Sequence, residues 1–173
     1  MLNQSMLNQS KLDHAWIARH IPHQGNMCLL DYVASWDTHS IQCSASSHRA
    51  ADNPLRAFER LGTACGIEYA AQVMAVHGAL LAPADSTRAQ VGYLVSVRST
   101  QLYLPRLDDI AADLLVEATC IARSDNDVLY QFSVSALGRL LLEGRAAVVL
   151  DANVLHANVL SVNALTHTSR DTP

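Results

Sequence analysis

Between Thr63 and Ala82 the chain carries one carboxylate, Glu68, and one imidazole, His77; every other residue is apolar, small or neutral-polar. A helix that is apolar nearly all round is normally buried. A carboxylate carried into that setting must be paired, hydrogen-bonded or held protonated, because desolvation penalises its charged form. Glu68 is therefore the first candidate for a functional group. The helix is well marked: Ala, Leu, Met, Gln and Glu fill its interior and Pro83 follows its end, while Asn53 and Pro54 suit a cap and a first helical position. Gly62 and Gly66 weaken the first half, which predicts a short lead-in turn and then a main helix from Thr63 to Leu80. At helical spacing Leu61, Cys65, Glu68 and Gln72 share one stripe, placing the acid beside a small thiol and an amide. Ala64, Ala70, Ala71, Ala75 and Gly78 leave little bulk elsewhere. So thin a helix admits close neighbouring backbone and suits wrapping by a sheet.

With 173 residues, half of them hydrophobic and 16% charged, the expectation is one globular domain with a substantial core. A net charge of −4 without a Lys/Arg cluster excludes nucleic acid as the main partner and offers no polybasic patch to a membrane. Cys28, Cys43, Cys65 and Cys120 lack metal-type spacing and read as reduced thiols, so neither a metal nor a cofactor is expected. The amino terminus has no basic stretch followed by an apolar run, and no segment reaches the roughly 18 apolar residues needed to span a bilayer. The expected location is the cytosol.

Taken in order, residues 1–12 form a tail with a duplicated pentapeptide, MLNQS, given no structural weight. The domain is expected over 13–150. Asp13 to His20 suits a short amphipathic helix anchored by Trp16 and Ile17, and it stops at Ile21-Pro22. Met27 to Trp36 reads as a strand. Ser40 to Ser46 alternates Ile41, Cys43 and Ala45 with polar residues, the period of a half-buried strand, and Asp37-Thr38-His39 is the turn between the two. Beyond the helix, Arg88 to Leu104 reads as one long strand whose apolar phase switches near Ser99 to Gln101, which predicts a bulge. Leu114 to Ile121, Leu129 to Leu137 and Leu140 to Leu150 complete a meander with turns at Asp125-Asn126 and Gly138-Arg139. The economical architecture is α+β: one curved antiparallel sheet closing around one long helix. The tail 151–173 repeats ANVL and keeps no core-forming period.

The blocks PHQGNMCLLDYV, SHRAADNPLR and GIEYAAQVMAVHG, followed by VGYLVSVRSTQLYL and LLLEGRAAVVL, resemble the hotdog-fold 3-hydroxyacyl-acyl carrier protein dehydratases. They are more closely similar to the branch of predicted dehydratases found with bacterial aryl-polyene and related fatty-acid-like gene clusters. The resemblance covers Ile21 to Leu150. It implies a sheet wrapped around the central helix, and a homodimer or a heterodimer with another hotdog subunit. The loop histidine of one subunit would meet the helix acid of the other beside a tunnel for the acyl-pantetheine of an acyl carrier protein. On this chain His48 matches the loop histidine and Glu68 the helix acid. Dehydration of a 3-hydroxyacyl thioester to the trans-2-enoyl product needs a base for the C2 proton and an acid for the departing hydroxyl, roles that imidazole and a tuned carboxyl suit. His48 is expected as the base and Glu68 as the acid or water-holder, oriented by Gln72. A backbone N–H near Gly62 or Thr63 would hold the thioester oxygen. Cys65 is expected beside the substrate as small packing, and His23 as a structural hydrogen-bonding residue. Two other readings stay open: a hotdog thioesterase, in which a helix acid activates water, and a non-catalytic partner subunit of a heterodimeric dehydratase.

Overall fold

A computed structural model describes residues 12–83 and 92–150. The duplicated pentapeptide, the ANVL repeat and the start of the strand expected from Arg88 lie outside those residues. Helix α1 (His14–His20) is followed by strands β1 (Tyr32–Trp36) and β2 (Ser40–Ala45), then helix α2 (Gly66–Leu81), and then β3 (Tyr93–Leu102), β4 (Leu114–Arg123), β5 (Asp127–Ala136) and β6 (Arg139–Val149). The strands form one antiparallel sheet in the order β1-β2-β4-β5-β6-β3. Its concave face packs α2 against β2, β4 and β5.

Local chemistry explains most of these elements. Asp13 caps α1 by accepting from the Trp16 N–H at 2.8 Å, and Ile17 anchors the helix in the core. In the β1–β2 turn Asp37 Oδ1 accepts from the N–H groups of His39 and Ser40, both at 2.7 Å, so the loop closes on its own side chain. The β5–β6 turn places Leu137 and Gly138 at positive φ, the twist that a two-residue hairpin loop requires. Alternation orients the sheet: Leu114, Val116 and Ala118 of β4 and Val128, Tyr130, Phe132 and Val134 of β5 point inward. On the outer face Gln42 and Ser133 both donate to Glu117. The expected bulge in β3 falls between Arg98 and Gln101, where Ser99 adopts φ 52°. Gly66 opens α2 because Leu142 lies where its side chain would be; an added Cβ would come within 2.2 Å of Leu142 Cδ2.

Three expectations change. The strand expected from Met27 begins only at Tyr32, since the Leu29 N–H goes to the Gln72 side chain and the Leu30 carbonyl to His14, and the ladder to β2 starts only where the Asp31 N–H reaches the Ser44 carbonyl at 2.8 Å. Asn53 does not cap α2. Its Oδ1 accepts from the Leu55 N–H at 2.9 Å, and its Nδ2 donates to the Ser47 carbonyl and the Tyr69 hydroxyl, knitting a loop together instead. The 19 residues Thr63–Leu81, lead-in turn plus α2, are long and apolar enough to cross a membrane, with a mean hydropathy of 1.2, contrary to the expectation that no segment is. Here one side of that helix, including Tyr69, Ala70, Val73 and Val76, is buried under the sheet.

His77 belongs to that buried side and has no exposed surface. Its Nε2 donates to the Asp37 carbonyl and its Nδ1 accepts from the Tyr130 hydroxyl, each at 2.9 Å. The ring is thus satisfied as the neutral tautomer, and burial lowers its pKa from the ordinary 6.5. Burial lowers the pKa of His48 as well. In both cases the unfolded chain binds the proton more readily than the folded one, so their contribution is complete above about pH 6.5 and is lost as pH falls below it. Each group can contribute a slope of at most about 1.4 kcal/mol per pH unit. The thermal midpoint should therefore fall between pH 7 and pH 5; a flat profile in calorimetry would show that neither ring is held neutral.

Candidate active site

Helix α1 ends at Ile21-Pro22, and Gln24 Nε2 closes its last turn on the Ala18 carbonyl at 3.0 Å. The chain then runs along α2, where the fully buried Gln72 clamps it. Gln72 Oε1 accepts from the Leu29 N–H at 2.9 Å, and Nε2 donates to the Met27 carbonyl at 2.8 Å and to Glu68 Oε1 at 3.0 Å. An N–H at one end of the amide and two acceptors at the other leave it a single orientation. Glu68 is thereby held from behind, one helical turn from its support.

The clamped segment delivers His23 to Glu68, with Nε2 3.0 Å from Oε1. A carboxylate oxygen only accepts, so Nε2 carries the hydrogen, and in the neutral ring Nδ1 does not; that nitrogen is buried without a hydrogen-bond partner. The pair is not sealed: the side chains of His23 and Glu68 keep 26% and 30% of their surface. Both line a cavity of about 510 Å³, a volume suited to a small-molecule ligand. Its floor is a stripe of α2 comprising Ala71, Met74, Ala75, Gly78 and Ala79, and a second wall comes from Gly92, Tyr93, Leu94, Val148 and Leu150. Arg19 and His20 of α1 complete the lining, with the His20 ring stacked on Trp16 at 3.8 Å. Most of the small residues of α2 thus make room for a ligand rather than for the sheet. Among the small residues of the helix, Gly66 and Ala70 are the buried ones.

Within one chain the two groups expected to react are not brought together. His48 lies in a turn, Ser47–Arg49, bonded down onto the segment before β4: its Nε2 donates to the Ile110 carbonyl at 3.0 Å, while Arg49 reaches the Ala111 carbonyl and Asp113. Ser47 beside it is held by the Leu29 carbonyl and the Tyr69 hydroxyl. His48 consequently has no exposed surface and does not line the cavity. Gly62, Thr63 and Cys65 do not line it either. Thr63 cannot serve as a free oxyanion donor, because its N–H is spent on the Pro105 carbonyl at 3.3 Å and its hydroxyl on the Leu104 carbonyl at 2.5 Å. Cys65 Sγ lies 3.7 Å from the Leu55 carbonyl, and burial raises its pKa, away from nucleophilic use. Gln72 supports Glu68 and has no surface on the cavity. His23 is the residue that sequence reasoning placed outside the chemistry. Its block, PHQGNMCLLD, is visible in the sequence, but its destination depends on hydrogen bonds between residues 43 and 45 positions apart.

A curved antiparallel sheet around one long helix, with an acid on that helix facing an apolar cavity, defines the hotdog fold, and solved structures agree. The dehydratase heterocomplex ApeI:P from Xenorhabdus doucetiae superposes with a TM-score of 0.72 at 17% identity, covering 83% of this chain and 96% of that one. Zebrafish thioesterase superfamily member 2 gives 0.55 at 14% identity, covering 80% and 95%, and a Haemophilus influenzae thioesterase gives 0.52 at 11%, covering 85% and 87%. No curated protein sequence matches this chain. The family model of the ApeP-like proteins, described as ApeP dehydratase, matches residues 15–159, and the chain belongs to that family.

Gly78 offers a direct test of the cavity. A Cβ added there meets no atom within 4 Å. Gly78→Ala should stabilise the helix by up to about 1 kcal/mol. Gly78→Leu should keep the fold while weakening the fluorescence-monitored binding of an apolar dye. Unchanged dye binding would show that this space is not a ligand site.

Proposed function

We propose that this chain is a subunit of a cytosolic dehydratase that converts 3-hydroxyacyl thioesters, carried on the phosphopantetheine arm of an acyl carrier protein, to trans-2-enoyl thioesters in an aryl-polyene-type, fatty-acid-like synthesis. The observation that carries the reading is the Glu68 carboxylate, held by His23 and Gln72 on the wall of an otherwise largely apolar cavity. Membership of a dehydratase family supports elimination over hydrolysis.

In the proposed reaction the thioester carbonyl acidifies the C2 proton and the Glu68 carboxylate accepts it. The carboxylic acid so formed returns that proton to the hydroxyl leaving C3; the C3–O bond breaks, the C2–C3 double bond forms, and water departs with the enzyme regenerated. His23 and Gln72 both bond to Oε1 and fix the plane of the carboxyl, which is the positioning such a transfer needs. His48 has no surface from which to reach a substrate, and its proposed role here is structural.

Pairing with a second hotdog subunit is part of the proposal. Among the described residues strand β3 hydrogen-bonds to β6 on one side and to no other strand, while Tyr93, Leu94, Val95 and Leu102 are 41–49% exposed. An unpaired apolar edge is a template for another strand. The Xenorhabdus doucetiae structure, a heterocomplex, supports a two-subunit reading.

The test is incubation of the purified protein with 3-hydroxyacyl and enoyl thioesters. Interconversion is expected; thiol release would make the protein a thioesterase, and no reaction would make it a non-catalytic subunit. Glu68→Gln should lower turnover by about 100-fold or more, the usual contribution of a proton-transfer group, with thermal stability retained. His48→Ala should lower the melting temperature, because it orphans the Ile110 carbonyl, yet spare the activity of the folded protein. Loss of turnover in a fully folded His48→Ala protein would return the base role to that residue.

A further inference from the structure

Phe58 is 95% exposed, in the loop that leads into α2. Its backbone is left-handed, φ 50°, and so is that of Glu59, φ 60°. Residues bearing a Cβ adopt that conformation at a cost, and a phenyl ring gains nothing from water. Strain of this kind persists where the surroundings impose it, and it clusters at functional positions. The surroundings here are rigid. Ala57 and Arg60 exchange backbone hydrogen bonds of 3.0 and 3.1 Å around the two strained residues, closing a tight hairpin turn. Arg56 braces the turn from inside, donating to the Glu59 carbonyl at 2.9 Å and pairing at 3.2 Å with Asp108. The Asp108 side chain is only 3% exposed, and its hydrogen bonds to the Arg106 guanidinium hold its carboxyl well below the usual carboxylate range.

The position of this hairpin gives it a use. Leu107 donates to the Leu61 carbonyl at 2.8 Å and Thr63 to the Pro105 carbonyl at 3.3 Å, so the loop is fastened to the segment that leaves β3 at its C-terminal end. The cavity lies at the other end of the same strand, where Gly92, Tyr93 and Leu94 form a wall, with both large side chains 41% exposed. When two copies of an edge strand pair antiparallel about a two-fold axis, the C-terminal end of each meets the N-terminal end of the other. We infer that Phe58 of one copy of this chain packs against the Tyr93–Leu94 wall of a second copy and limits how far an acyl chain extends in that copy's cavity. The inference rests on the β3 pairing and the acyl substrate proposed above. A second copy is the occupant because the rigid aromatic tip and the open apolar wall belong to one chain at opposite ends of one edge, and a two-fold axis satisfies both contacts at once. Leu137 serves as a control: it is 91% exposed at φ 50° in the β5–β6 turn, with β6 standing between it and the edge.

Two differently tagged forms, Phe58→Cys and Tyr93→Cys, are mixed and treated with a short bis-maleimide, the wild-type mixture giving the background from the native thiols. A cross-linked product carrying both tags is expected, and none above background from Leu137→Cys with Tyr93→Cys. A sample that sediments as a dimer but yields no such product overturns the placement of Phe58 and leaves the pairing intact. Sedimentation as a monomer overturns the pairing, and this inference with it. On 3-hydroxyacyl thioesters of increasing length, Phe58→Ser should shift the preferred chain upward and Leu137→Ser should not; an unchanged preference in a cross-linkable dimer overturns the length-limiting role.

Discussion

Gln72 is the interaction on which the site depends. One buried amide takes the Leu29 N–H and gives its own two hydrogens to the Met27 carbonyl and the Glu68 carboxylate. Without it, the strand-free segment between α1 and β1 would have backbone groups to satisfy in an apolar interior, at a cost comparable to a lost hydrogen bond for each. With it, that segment lies along α2, His23 arrives at Glu68, and the cavity acquires its polar end. The same contact therefore serves folding and chemistry.

Helix α2 carries two surfaces of opposite purpose. Tyr69, Val73, Val76 and His77 fill the concavity of the sheet, so the helix is fixed by its larger residues. Ala71, Ala75, Gly78 and Ala79 face the cavity, so it is hollowed by its smaller ones. Glu68 lies on the hollow side. A carboxylate there escapes full desolvation while keeping apolar surroundings, a compromise that a fully buried or fully exposed acid could not reach.

Much of the architecture was legible because its signals are local. The helix and its lead-in turn, the short helix begun near Asp13, the turn at Asp37 to His39 and the bulge near Ser99 each follow from a few neighbouring residues. The candidate site was legible only in part. Glu68 stood out as a lone carboxylate in an apolar run, and Gln72 as its neighbour at helical spacing. Which histidine meets the acid within one chain was not, because that depends on how loops fold over helices: Ile110 draws His48 inward, and Gln72 draws the segment carrying His23 across, whereas the expected meeting of His48 with Glu68 is one between two subunits. The donor expected at Thr63 failed for a similar reason, since Pro105, 42 residues later by numbering, takes its N–H. The direction of the small-residue stripe was misread because thinness alone does not say whether backbone or ligand fills the space.

Strand β3 also shapes how the chain comes into being. Its neighbour in the sheet is β6, the last strand among the described residues, so during synthesis Tyr93 to Leu102 emerges before the element that pairs with it exists. Through the making of β4 and β5 a strand rich in Val, Leu and Tyr has neither ladder partner nor sheet to join, the situation in which nascent chains stick to one another. Even after β6 arrives, the other edge of β3 pairs with no strand among the described residues. The order in which the strands emerge thus bears on the maturation of this protein as much as the stability of the finished fold does.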